Sequence, residues 1–113
     1  MASGKETAEY ILDQIAGAGD VSARKMFGEY GLYCDGKFIG LICDNELYIK
    51  PTAAGRSFIG NPTETPPFPG AKPWLLISGD IADDADRLCD LIKTSLPEIP
   101  FVKVKKRKKK VIL

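Results

Sequence analysis

The chain has no histidine, and its three cysteines, Cys34, Cys43 and Cys89, form neither a CxxC pair nor a zinc-type spacing. The first absence excludes serine–histidine triads, cysteine–histidine dyads and histidine-ligated metals. The second leaves the thiols as small buried hydrophobes of a reducing compartment. No apolar run approaches the roughly 18 residues that span a bilayer, and the N-terminal MASGKETAEY lacks the apolar centre of a secretory signal. The expectation is a cytoplasmic protein without a membrane partner. No Gly-rich loop leads into a helix to cradle a phosphate, and no small-molecule substrate site is evident. The carboxylates Glu29, Asp35, Asp44, Glu46 and Glu64 fall mainly at turns, where aspartate serves local hydrogen bonding. We therefore expect no catalytic residue, metal or cofactor, and no enzymatic activity.

Charge is divided along the chain. Residues 1–102 hold 9 basic and 15 acidic side chains, net −6, whereas residues 103–113 hold seven cations and no anion. At 113 residues the chain has room for one domain with a real core, and the boundary falls at this change of sign: a folded unit over 1–102 and a basic tail over 103–113. Blocks of like charge repel themselves, so the tail is expected outside the folded unit. It would serve solubility or associate with the acidic body, or Lys105, Lys106, Arg107, Lys108, Lys109 and Lys110 would displace counterions from a nucleic acid without sequence preference. In that last case Arg24, Lys25 and Lys72 would orient the domain. Val111-Ile112-Leu113 is too short an apolar end to hold a membrane surface.

Residues 24–51, RKMFGEYGLYCDGKFIGLICDNELYIKP, contain three strand-like runs separated by the turn signals Asp35-Gly36 and Asp44-Asn45. Two-residue turns of this kind adopt the type I′ geometry and fix the register of the strands they join. Cys34 then faces Lys37, Tyr33 faces Phe38, Leu32 faces Ile39, Gly31 faces Gly40 and Tyr30 faces Leu41. The second turn pairs Ile42 with Leu47, Leu41 with Tyr48 and Gly40 with Ile49. Alternation of side chains collects Phe27, Gly31, Tyr33, Phe38, Gly40, Ile42, Leu47 and Ile49 on one face, with Tyr30, Leu32, Ile39, Leu41 and Tyr48 on the other. Neither face is polar. The Gly31–Gly40 pair would open a groove for a helix, and the opposite face is covered either by the rest of the chain or by a protein partner or second copy at Tyr30, Leu41 and Tyr48.

The flanking segments supply helices. Ser3 with Glu6 has the capping-box pattern, and Ala8, Ile11, Leu12 and Ile15 recur at helical spacing until Gly17 and Gly19. Ala53 to Ile59 suits a short helix. Thr65-Pro66-Pro67-Phe68-Pro69-Gly70 then forbids regular structure and leads into the strand run Trp74-Leu75-Leu76-Ile77. This segment reads as a crossover loop with Phe68 and Trp74 against the sheet, or as a recognition loop presenting Phe68 and Lys72 to a partner. A last helix starts at Asp80 or Asp83, carries Ile81, Ala85, Leu88, Cys89 and Ile92 on one side, and stops at Pro97. The expected fold is α+β, a two-layer sandwich of helices on an antiparallel sheet of about five strands. Its order is helix, three strands, helix, strand, helix, with a further strand before the last helix or after it, at Pro100 to Val104 beside Trp74 to Ser78.

The strings Lys25-Met26-Phe27-Gly28, Tyr30-Gly31-Leu32-Tyr33, Asp35-Gly36-Lys37 and Leu47-Tyr48-Ile49-Lys50, followed by Pro67-Phe68-Pro69-Gly70-Ala71-Lys72-Pro73, resemble the N-terminal domain of the TfoX/Sxy family. The likeness runs from about Glu9 to Thr94. It implies a helix, β-meander, helix, two-strand, helix arrangement. It also implies a regulatory protein of the transcriptional co-activator type, since the better-known members regulate natural competence and carry a second, helical domain that this sequence lacks.

Overall fold

The computed structural model describes residues 4–26 and 29–101. Helix α1 (Lys5–Ile15) is followed by strands β1 (Val21–Met26), β2 (Glu29–Cys34), β3 (Lys37–Cys43) and β4 (Glu46–Ile49). Then come α2 (Ala53–Ile59), β5 (Thr63–Thr65), β6 (Trp74–Leu76), α3 (Gly79–Ala82) and α4 (Ala85–Ser95). Among the described residues the strands form one antiparallel sheet in the order β1-β2-β3-β4-β6-β5. The fold is α+β and has two layers, because the helices all lie against one face of the sheet.

The two turns have the expected backbone. Asp35 and Gly36 have φ of 53° and 81°, and Asp44 and Asn45 have 53° and 61°, all in the left-handed region that a type I′ turn requires. They set Cys34 opposite Lys37, Tyr33 opposite Phe38, and β4 against β3 as the sequence predicts. Between Leu32 and Tyr33, however, the ladder slips by one residue: Leu32 pairs with Gly40, Gly31 with Leu41 and Tyr30 with Ile42. Gly31 therefore does not face Gly40. The slip is a β-bulge, in which Ile39 and Gly40 together oppose one residue of β2.

The bulge re-sorts both faces. Ile39 and Ile42 now point the same way, so Leu32, Cys34, Ile39, Ile42, Leu47, Ile49, Leu75 and Ile77 share a core with Ala8, Ile11 and Ile15 of α1 and Leu88, Leu91 and Ile92 of α4. A side chain at Gly40 would place its Cβ 2.6 Å from the Tyr48 carbonyl oxygen. Only glycine fits where the two strands approach this closely.

Other expectations change at the ends of elements. Helix α1 begins after Gly4, which makes no side-chain cap, and Ser3 lies outside the described residues. The capping work is done from a distance: Asn45 Oδ1 accepts from the Gly4 amide and from the Thr7 hydroxyl, both at 2.9 Å. Val21–Met26 forms a strand of its own beside β2, which the sequence reading did not separate. The last helix is split into α3 and α4, with the Asp84 carboxylate capping the second by accepting from the Arg87 amide. The described strand beside Trp74–Leu76 at the sheet edge is Thr63–Thr65; residues 102–104 of the strand expected at Pro100 to Val104 lie outside the described residues. Phe101 instead bridges to Lys37, whose Nζ donates to the Leu96 carbonyl at 2.7 Å. Phe27 and residues 102–113 lie outside the described set.

Candidate functional site

Helices cover one face of the sheet; the other carries a second apolar cluster built from strands alone. Leu41, Cys43 and Tyr48 are buried there, with Phe38, Trp74 and Leu76 packed against them. Register explains the arrangement, since paired residues point to the same side. One row holds Tyr33 and Phe38, continued by Trp74. A middle row holds Leu41, Tyr48 and Leu76. At the far end Cys43 pairs with Glu46, and Glu29, one residue beyond the Tyr30–Ile42 pair, comes level with Cys43 from the other side. The face thus grades from aromatic to apolar to acidic.

The aromatic row is a chain of tilted contacts, with ring centroids 5.2 Å apart for Tyr33–Phe38 and 5.6 Å for Phe38–Trp74, in the range that favours such pairs. Over it, the proline-rich loop between β5 and β6 makes a wall. Glu29, Phe38, Leu41, Cys43, Phe68, Ala71 and Trp74 line a groove of about 580 Å³. Phe68 is 51% exposed and adds its ring to the contiguous apolar surface that the groove presents.

The site is poorly suited to nucleophilic chemistry. Burial first, and then Glu29, push the Cys43 thiol above its ordinary pKa. Burial first, then Asp35 and Asp20, push Cys34 up to about 11. A reactive thiol needs the opposite shift. Burial and then Glu46 also raise the Tyr48 phenol. Cys34 points into the helix-facing core and Cys43 to the open face, and all three cysteines are free. Among the described residues no group of three metal-ligating side chains converges, and no helix is long and apolar enough to cross a membrane.

The residues singled out from the sequence separate as follows. Leu41 and Tyr48 are neighbours on the open face, each 8% exposed. Phe68 stands at its rim. Tyr30 does not join them: the bulge turns it to the helix side, where it packs half-buried against the main core. Arg24 and Lys25 are exposed on β1, at one edge of the sheet, and being consecutive they point to opposite faces. Lys72 is exposed in the loop between β5 and β6, strands that sit at the other edge. Structure therefore does not gather these three cations. Lys105, Lys106, Arg107, Lys108, Lys109 and Lys110 lie outside the described residues. Phe38, Cys43, Glu29 and Ala71 line the groove unanticipated, because strict alternation placed Phe38 away from Leu41 and gave no hint of a shared surface.

Comparison with known proteins agrees with this architecture. The family model of the TfoX N-terminal domain matches residues 13–99. A protein of Spirochaeta aurantia described as an uncharacterized 12.7 kDa protein in the trpE 5′ region is 39% identical over 110 residues, covering 97% of this chain and 95% of its own length. The aligned span takes in the meander, the groove and the helical layer together, and on that basis the chain belongs to the TfoX N-terminal domain family.

Proposed function

We propose that this protein is a non-catalytic regulatory adaptor that contacts a protein partner through the open face of its sheet. The observation that carries the reading is the groove beside Phe68: an apolar cleft of about 580 Å³ on the helix-free layer, rimmed by a half-exposed aromatic ring. Grooves that bury an aromatic anchor supply most of the affinity in protein contacts. The raised thiol pKa values and the absence of histidine argue against a catalytic alternative. Membership of a family whose better-known members regulate natural competence favours a regulatory role, of the co-activator type. A second copy of the chain is one partner such a face would accept.

Partner capture on the immobilised full chain tests this. Phe68→Ser should reduce recovery of the captured partner by about tenfold or more, the loss of a contact worth roughly 1.4 kcal/mol or above, while the thermal melt stays unchanged because the ring is half-exposed. Equal recovery by the variant would overturn the reading. Light scattering on the same samples reports whether the partner is a second copy.

A second reading rests on the seven cations between Lys103 and Lys110: sequence-independent contact with nucleic acid. Gel shifts of the full chain at two salt concentrations decide it, since each phosphate neutralised adds about 0.9 to the slope of log affinity against log salt. No shift at low salt ends that reading.

A further inference from the structure

Of the residues that line the open-face groove, Phe38, Leu41, Cys43, Phe68, Ala71 and Trp74 are apolar, and Glu29 is the one that carries a charge. Glu29, Gly31 and Tyr33 share the open side of β2, and Gly31 puts no side chain opposite Leu41. A glycine inside a strand marks a place where a ligand or another backbone can come close. The volume of about 580 Å³ lies within the roughly 300–1,000 Å³ of small-molecule sites, which share this composition: mostly apolar walls with few polar groups. No such site is evident in the sequence, because its walls come from β2, β3, β6 and the loop before β6. Glu29 stands at one end, level with Cys43. Its carboxylate accepts from the Asp44 amide at 3.2 Å, which orients it, and after burial its charge is what pushes the Cys43 thiol up. At the other end Phe38 and Trp74 hold their ring centroids 5.6 Å apart, about 17 Å of strand away from Cys43. An anion in this groove would meet a like charge, whereas a cation would be attracted.

We propose that the groove is a binding site for a small amphipathic amine, with its ammonium beside Glu29 and its apolar body over Leu41 toward Phe38 and Trp74, next to Phe68. A carboxylate offers about four lone-pair sites, so it can accept from the Asp44 amide and from an ammonium together, the second as a charge-assisted hydrogen bond. The apolar walls take the body of the ligand out of water, and the carboxylate selects the charge of its head. The site is defined by its lining, and it stands whether or not a protein also uses this face.

Trp74 is the sole tryptophan and lines the groove, so its emission follows occupancy. Decylamine and decanoate share one kind of apolar chain and carry opposite charges at neutral pH. Each is titrated, below its micelle concentration, into the full chain and into Glu29→Gln at about 0.15 M salt, where exposed charges more than about 8 Å away are screened. Far-UV circular dichroism follows the fold throughout. Binding to the parent should be saturable and about tenfold or more tighter for decylamine than for decanoate. In Glu29→Gln the two affinities should come within about threefold of each other, because only screened charges are left to discriminate, and decanoate should bind better than it does to the parent. No saturable change with decylamine, equal affinities in the parent, a preference that survives Glu29→Gln, or loss of the helical signal during titration each overturns the proposal. Because no protein partner takes part, this result and the Phe68→Ser capture result can fail separately.

Discussion

Gly40 shows how one residue can control a whole face. It sits at the bulge, pairs with Leu32 on one side and Ile49 on the other, and lies so close to β4 that a Cβ would come within 2.6 Å of the Tyr48 carbonyl and 3.1 Å of Ile49 Cδ1. The nearer atom is backbone and cannot rotate away. Gly40→Ala should therefore cost on the order of 1–3 kcal/mol, seen as a lower denaturation midpoint in urea. A midpoint equal to that of the parent would mean that β3 and β4 move apart more readily than the tight ladder indicates. The sequence did expose this glycine as anomalous in a strand, but it suggested a partner glycine across the ladder. Bulges are hidden from alternation arguments, because they replace one step of the pattern while leaving the residues on either side apparently regular.

Between elements, polar contacts do the joining. Thr52 caps α2 by accepting from the Gly55 amide at 2.8 Å, and its hydroxyl lies 3.3 Å from Ser95 Oγ, which donates to the Leu91 carbonyl at 2.8 Å. Both side chains are buried, so the cap and the α2–α4 contact are one network. The start of α2 receives further support from Glu98, whose carboxylate accepts from the Ala53 and Ala54 amides at 3.0 and 2.8 Å, a favourable position for negative charge at a helix start. Thr52→Val keeps the shape but leaves the Gly55 amide unsatisfied, and should destabilise by about 1–3 kcal/mol. Double-mutant coupling with Ser95→Ala in chemical denaturation checks it: strictly additive losses would show that the two hydroxyls act independently. The sequence located α2 at Ala53 to Ile59 correctly from its flanking breaks. The N-cap Thr52 is local to α2, but Ser95 and Glu98, which complete its network, are more than 40 positions away along the chain and leave no local trace.

At the level of the whole molecule, one core joins every helix to the sheet, and the open-face cluster rests on the same strands from behind. Leu75 and Leu76 are consecutive in β6 and enter opposite clusters, so the two cannot come apart without breaking the strand. Unfolding should accordingly be a single cooperative transition. Trp74 emission reports the open face and far-UV circular dichroism mostly the helices; their thermal curves should coincide. A Trp74 midpoint well below the helical one would show that the open face and its loop melt as a separate unit.

By itself the sequence determined the class of the fold, the positions of the meander turns, the helical stripes and the family. Each depends on local chemistry: Asp-Gly and Asp-Asn backbones that accept positive φ, apolar residues at helical spacing, prolines without an amide hydrogen. Tertiary structure alone decided which face of the sheet is open and which residues line it. That outcome turned on a one-residue slip between β2 and β3 at Gly40, where β4 approaches closely, and on the loop carrying Phe68, which lines one groove with Trp74. Both are contacts between distant segments, and no periodicity along the chain records them.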